Sequence, residues 1–192
     1  MPYRDYILTN SPVTSYVGLD IDGAIVYDDK IKADVRWDGS TIPLPDNSFD
    51  CAMATEVLEH CPYPEKTLRE VLRVLKPGGV LLITVPFIWC LHEIPHDEYR
   101  YTPFSLRRHL EASGFKVDYI RATGGWHASM ATMLGAWVRG APMKSFNRKF
   151  LLCICLPIVK YLTYLDGKYC WNFNEQIMFL GLVALVRKPE LN

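Results

Sequence analysis

Residues 41–86 read TIPLPDNSFDCAMATEVLEHCPYPEKTLREVLRVLKPGGVLLITVP, and their layout decides the fold. Phe49 to Ala54 is a short apolar run behind a Pro-Asp-Asn-Ser turn, the pattern of a buried strand. Pro64 to Leu75 carries Leu68, Val71, Leu72 and Leu75 at i, i+3, i+4 and i+7, one apolar helix face. Pro77-Gly78-Gly79 is expected to end that helix. Val80 to Val85 is then a continuous apolar strand of the kind buried on both faces of a parallel sheet. Strand, helix and strand in this order make the repeating unit of an α/β sheet.

Outward from this unit the alternation continues. Ser15 to Ile21 reads as a strand with Asp20 at its carboxyl end, and Ile31 to Trp37 as an edge-ward strand stopping at the Asp38-Gly39 turn. Downstream, Thr102 is a good N-cap with Pro103 at the first helical position, for a helix through Leu106 and Leu110 to Gly114. Phe115 to Ile120 alternates like a strand, residues 124–175 read as helical, and Ile177 to Val186 reads as the last buried strand. The expected architecture is one doubly wound α/β domain over 1–192, with a helical insertion at 124–175 before the last strand.

The 192 residues are enough to bury a full core, and 49% hydrophobic with 22% charged residues is a globular composition. Lys+Arg and Asp+Glu both number 21, so no global field favours a polyanion, and no nucleic-acid partner is expected. Six cysteines form no CxxC pair and no metal-ligand spacing, so no metal is assigned. Cys51 and Cys90 are expected to pack as small hydrophobes, and reduced thiols point to the cytoplasm. The start, MPYRDY, has no apolar core of a signal peptide.

Three wordings carry a family resemblance: D-G-x-x-I-P-L-P-D-N-S-F-D from Asp38, E-V-L-E-H from Glu56, and L-R-E-V-x-R-V-L-K-P-G-G from Leu68. Over residues 3–121 and 176–188 the chain resembles the class I S-adenosylmethionine-dependent methyltransferases of the type 11 kind. The resemblance implies a Rossmann-like methyltransferase sheet, S-adenosylmethionine as cofactor, and methyl transfer to a small-molecule or lipid/glycan-linked acceptor. It also implies an earlier strand and a G-x-G loop ahead of the PYRDY segment; Gly18 and Gly23 do not rebuild such a turn. The chain is therefore expected to be N-terminally truncated, with the first strand and G-x-G loop absent and cofactor binding impaired. Loss of a central strand would bare two sheet edges, inviting a homodimer. The alternative is a non-catalytic methyltransferase-like protein that binds a partner.

By the same resemblance Asp20 would accept the ribose hydroxyls and Asp38 the adenine amino group; each is otherwise a turn carboxylate. Thr55, Glu56 and His60 would lie near the cofactor or acceptor, with helix capping by Glu59 and His60 as the plainer role. Asp50 reads as structural, tying off a backbone turn.

After Val85 the chain crowds His92, His96, Asp97, Tyr99, Arg100 and Tyr101 into one loop at the carboxyl end of a strand. Methyl transfer to a hydroxyl needs its proton removed, which suits His96 as base, with Asp97 or Arg100 positioning substrate. Equally, Asp97 and Arg100 could pin the loop as a salt bridge, with Tyr99 and Tyr101 in the core. A His/Asp metal site is a third reading, without two further ligands at convincing spacing.

Residues 144–165, KSFNRKFLLCICLPIVKYLTYL, open with basic residues and continue apolar. The uncharged run falls short of the about 20 residues of a membrane span. Two readings stand: a helix packed over the sheet, or an interfacial helix making peripheral contact with the inner face of a membrane. In both, Pro157 is expected to kink or break the helix.

Overall fold

The computed structural model describes residues 3–23, 33–168 and 177–190. In chain order the elements are α1 (Arg4–Asn10), β1 (Leu19–Ile21), β2 (Val35–Trp37), β3 (Phe49–Thr55), a 3-10 turn (Leu58–His60) and α2 (Pro64–Val74). There follow β4 (Leu75–Pro86), α3 (Pro103–Ala112), β5 (Lys116–Thr123), α4 (Trp126–Gly140), α5 (Ser145–Lys168) and β6 (Gly181–Arg187). The strands fall into two sheets, a parallel pair β1-β2 and a four-stranded sheet ordered β3-β4-β6-β5. β3 runs parallel to β4, whereas β6 is antiparallel to both of its neighbours. The α/β class read from the sequence is thus observed, and the last strand lies between two others rather than at an edge.

One face of the larger sheet holds the core. Leu81, Ile83 and Val85 of β4 and Leu182, Ala184 and Val186 of β6 are buried, beneath Leu68 of α2 and Leu106 and Leu110 of α3. Burying each large aliphatic side chain contributes about 1.5–3 kcal/mol. The opposite face is more open. Cys51 and Met53 of β3 are exposed and Leu82 of β4 only half-buried, so β4 is not enclosed on both sides as its apolar run predicts. Cys51 and Cys90 are likewise exposed instead of packed.

Boundaries shift for local reasons. β4 begins at Leu75, and Pro77-Gly78-Gly79 lies inside it as an irregularity, where pairing jumps from Phe49–Leu75 to Cys51–Val80. Gly78 takes φ +75°, a conformation cheap only for glycine, and a Cβ on Gly79 would lie 2.8 Å from the Lys76 carbonyl. β6 starts at Gly181, not at Ile177, because the Leu180 carbonyl is spent on the amides of Phe87 and Ile88. Gly181 itself fits only as glycine, since a Cβ there would meet the Val85 carbonyl at 2.6 Å. The expected strand residues 31–32 and the insertion residues 169–175 lie outside the described residues.

The loop from Asp38 to Asp46 is bound to α2. Arg73 donates to the carbonyls of Ile42 (2.7 Å) and Leu44 (2.9 Å) and pairs with Glu70 at 2.8 Å and with Asp46 at 2.5 Å. The Glu70 carboxylate accepts the Ile42 amide at 2.8 Å. Arg73 and hydrogen bonding hold the Glu70 carboxyl below its ordinary range.

The insertion is an antiparallel helical hairpin that packs mainly on itself. Asp166, near the end of α5, accepts the amides of Gly125 and Ala128 at the start of α4, at 3.0–3.1 Å. At the other end Arg148 reaches carbonyls of the last turn of α4, from Val138, Arg139 and Ala141. An anion thus serves the positive helix end and a cation the negative one. Three expectations for this segment are corrected: that it is too short to span, that it breaks at Pro157, and that it packs over the sheet. α5 has 24 residues, enough in length and apolar character to cross a membrane, and Pro157 sits within it without ending it. Nor is α5 packed over the sheet, since only 6% of its most apolar stretch is buried.

Candidate functional site at the carboxyl ends of the central strands

At the carboxyl ends of β3 and β4, where open α/β sheets bind ligands, a cleft of about 400 Å³ opens. Glu56, Trp89, His92, Thr123 and Gly181 contribute from the sheet side and Thr132 from α4. Glu56 follows β3 directly and holds φ +52°, a strained backbone for a non-glycine residue. Its amide donates to the Thr84 carbonyl at 3.0 Å, and its carboxylate accepts the Thr84 hydroxyl at 2.8 Å. These contacts hold the carboxylate at the mouth of the cleft.

Beneath it the 3-10 turn Leu58–His60 buries Glu59 completely. Neither Glu59 carboxylate oxygen has a hydrogen-bond partner of good geometry among the described residues. Burial, reinforced by the charge of Glu56, pushes its pKa up to about 7, against weaker support from its own peptide N–H, His60 and Arg100. His60 lies beside it, Nε2 3.7 Å from a Glu59 oxygen, with Nδ1 2.9 Å from the His96 carbonyl. The His92 ring meets His60 edge-on, with centroids 4.8 Å apart. Helix capping by Glu59 and His60 is not observed: their side chains face each other, and the cap of the following α2 has no side-chain hydrogen bond.

In the loop after β4, Asp97 has a nearly buried side chain gripped by Arg100 through two hydrogen bonds of 2.6 and 2.8 Å. It also accepts the His92 amide at 3.0 Å and lies 3.2 Å from His92 Nδ1. Arg100, more than the His92 contacts, holds the Asp97 carboxyl well below the usual carboxylate range. Arg100 also donates to the carbonyls of Tyr99 and Cys90, tying the loop together. Tyr101 is buried, its hydroxyl 3.1 Å from the Leu58 carbonyl, and burial pushes its phenol up. The His96 side chain is exposed and does not line the cleft; only its backbone carbonyl reaches the cluster, through His60.

The two aspartates upstream stand apart from this cluster. Asp20, in β1, is half-buried and accepts the Ile21 amide at 2.9 Å. Asp38 is exposed and accepts the amides of Ser40 (2.7 Å) and Thr41 (3.2 Å), which lower its pKa. Asp50 is exposed and pairs with Lys76 at 2.8 Å, where the sequence suggests a backbone turn. Thr55 closes β3, next to Glu56. The burial of Glu59 and the meeting of His92 with His60 arise only in the folded chain. The signal lies in E-V-L-E-H, which puts two carboxylates and a histidine directly behind a buried strand, whereas the distant His92 is invisible to spacing.

Residues 5–83 match the family described as Methyltransferase domain (Methyltransf_11). The ubiquinone/menaquinone biosynthesis C-methyltransferase UbiE of Escherichia fergusonii is 34% identical, over 47% of this chain and 49% of that protein. The UbiE of Salmonella arizonae is 33% identical over the same shares. Among solved structures, a methyltransferase in complex with the Haloferax volcanii Trm112 methyltransferase activator superimposes with TM-score 0.59 and 17% identity. That match covers 98% of this chain and 78% of the other, and it is a likeness of fold. Residues 5–83 thus resemble a methyltransferase domain, and the fold as a whole is like that of a solved methyltransferase. S-adenosylmethionine is accordingly its expected cofactor. The chain spans about half the length of the UbiE relatives it matches.

Proposed function

We propose that this domain serves methyl transfer from S-adenosylmethionine to a small-molecule or lipid/glycan-linked acceptor, in the cleft at the ends of β3 and β4. The observation that carries the reading is the strained, doubly anchored Glu56 at that cleft, inside the stretch that matches the methyltransferase family. In this reading Asp20 accepts the ribose hydroxyls and Asp38 the adenine amino group, while Thr55, Glu56 and His60 border the cofactor. A carboxylate suits a vicinal diol because it accepts two donors at once. The exposed His96 would act as base only toward an acceptor reaching over the loop, and the Asp97–Arg100 pair would position that loop. Calorimetric titration with S-adenosylhomocysteine tests the reading on this chain and on one extended upstream. Binding by the extended form that is lost in Asp20→Ala supports it; a folded extended form that does not bind sinks it.

The helical hairpin favours the lipid-linked branch of the acceptor class. Phe150, Ile154, Tyr161 and Tyr164 of α5 are exposed beyond a basic lead-in in which Lys144 and Lys149 are exposed and Arg148 caps α4, a composition suited to an interfacial helix. Co-flotation with anionic liposomes is expected, and no co-migration would remove this branch. A second reading, a non-catalytic partner-binding protein, draws on one observation. β3 pairs only with β4 among the described residues, leaving its other edge for an added strand or a second copy. Light scattering across a concentration series checks the second copy, since a monomer throughout argues against a homodimer.

A further inference from the structure

Glu59 poses an unsolved electrostatic problem. A fully buried carboxylate with neither oxygen hydrogen-bonded is rare, because the lost hydration must be replaced by something. Arg100 does not replace it, since that guanidinium is already taken by both oxygens of Asp97 and by two carbonyls. What faces Glu59 instead is a pair of imidazoles. A carboxylate oxygen of Glu59 and one ring nitrogen each from His60 and His92 lie within 4.8 Å of one another.

Both rings stand beside an oxygen. His60 Nδ1 is 2.9 Å from the His96 carbonyl, which can only accept, so Nδ1 carries the proton and Nε2 presents its lone pair toward Glu59. His92 Nδ1 is buried 3.2 Å from the Asp97 carboxylate, whose tight pairing with Arg100 keeps it ionised and fixed. A carbonyl hydrogen-bonded behind one imidazole fixes its tautomer as in metal-binding histidines, and a carboxylate lies beside the other without a hydrogen bond of good geometry to its Nδ1.

We propose that Glu59, His60 and His92 bind one divalent transition-metal ion through the Glu59 carboxylate, His60 Nε2 and one ring nitrogen of His92. Ligand atoms around such an ion stand about 3–4 Å apart, so a small side-chain rotation closes the present spacing. Two imidazoles and a carboxylate suit manganese, iron, cobalt or zinc better than calcium. Glu56, at the mouth of the same cleft, adds negative charge nearby. His92 lines the cleft, so the ion would face whatever binds there with open coordination positions. As a Lewis acid it would lower the pKa of a bound acceptor hydroxyl, a proton-removal route that does not need the exposed His96. This use rests on the methyl-transfer reading; metal binding itself does not.

The test is titration of the chelator-treated, folded full chain with cobalt(II) chloride, followed by visible absorption and by thermal melting. Expected are one equivalent of bound cobalt with d–d bands, no thiolate charge-transfer band, and a raised melting temperature. Glu59→Gln keeps the side-chain shape and removes the anionic ligand; at least a tenfold loss of affinity is expected for it and for His92→Gln. Glu59→Gln should also melt higher than the wild type when both are metal-free, because no buried charge remains to be compensated. His96→Ala and Cys61→Ser should bind as the wild type does. The proposal is overturned if the folded wild type takes up no cobalt, if a thiolate band appears and Cys61→Ser abolishes it, or if Glu59→Gln and His92→Gln bind undiminished. Failure of methyl transfer in a chain that binds cobalt as described would count against the reaction alone.

Discussion

Asp97 and Glu59 are two buried acids with opposite fates. Asp97 has a bidentate arginine and a backbone amide, and it stays ionised; Glu59 has neither, and burial raises its pKa. The difference comes from a partner three residues away, since Arg100 is placed to grip Asp97 and nothing comparable grips Glu59. Glu70 belongs to the first kind. Its folded pKa lies below the ordinary 4.5 because of Arg73, so its contribution to stability is complete above 4.5 and is lost as pH falls through the lowered value. Chemical denaturation is expected to show stability declining from about pH 5 downward, and Glu70→Gln should flatten that part of the profile at a cost of about 1–2 kcal/mol at neutral pH. An unchanged acid limb in the variant would show that other carboxylates govern it.

At the scale of elements, the hairpin α4–α5 depends on its ends more than on the body beneath it. With most of α5 exposed, packing against the sheet contributes little, and the caps made by Asp166 and Arg148 hold the helices in register. Asp166→Ala should lower stability by about 1–2 kcal/mol, the range for loss of a side chain that satisfies helix N-terminal amides. Differential scanning calorimetry of the variant would read this, and a loss under about 0.5 kcal/mol would mean that solvent replaces the cap. Thr132, midway along α4, lines the cleft, so loosening the cap is also expected to widen the site.

Across the whole molecule, two sheets of unequal strength share one chain. β3-β4-β6-β5 is seven or more residues long in every strand and rests on the main core, whereas β1 and β2 contribute three residues each. A two-stranded sheet of that length is marginal alone. It is held by the contacts of Asp34 with Arg4 and the Gly18 amide, and by the Arg73 network at the loop after β2. Hydrogen exchange should therefore be fast in Leu19–Ile21 and Val35–Trp37 and slow in β4 and β6, with ligand binding at Asp20 slowing the first group. Uniform protection of all six strands would contradict this division.

Much of this was legible in advance. The period of Leu68, Val71 and Leu72 names a helix, the apolar run around Leu81 a strand, and Thr102-Pro103 a helix start, because each rests on contacts or caps within a few residues. The three family wordings likewise lie along consecutive residues and need no folding to be read. What depended on the third dimension was which face of β4 is covered, where β6 inserts, and that α5 leans on α4 and not on the sheet. The cluster of Glu59, His60 and His92 is of that kind as well. Its members come from a turn behind β3 and a loop behind β4, and only parallel pairing of those strands sets their ends side by side. By itself the sequence determined the elements, the α/β class and the likeness to a methyltransferase family, since local periodicity and short-range wording encode them. Tertiary structure alone decided which charges lost their water and what stands next to them, because burial and proximity are properties of packed chains.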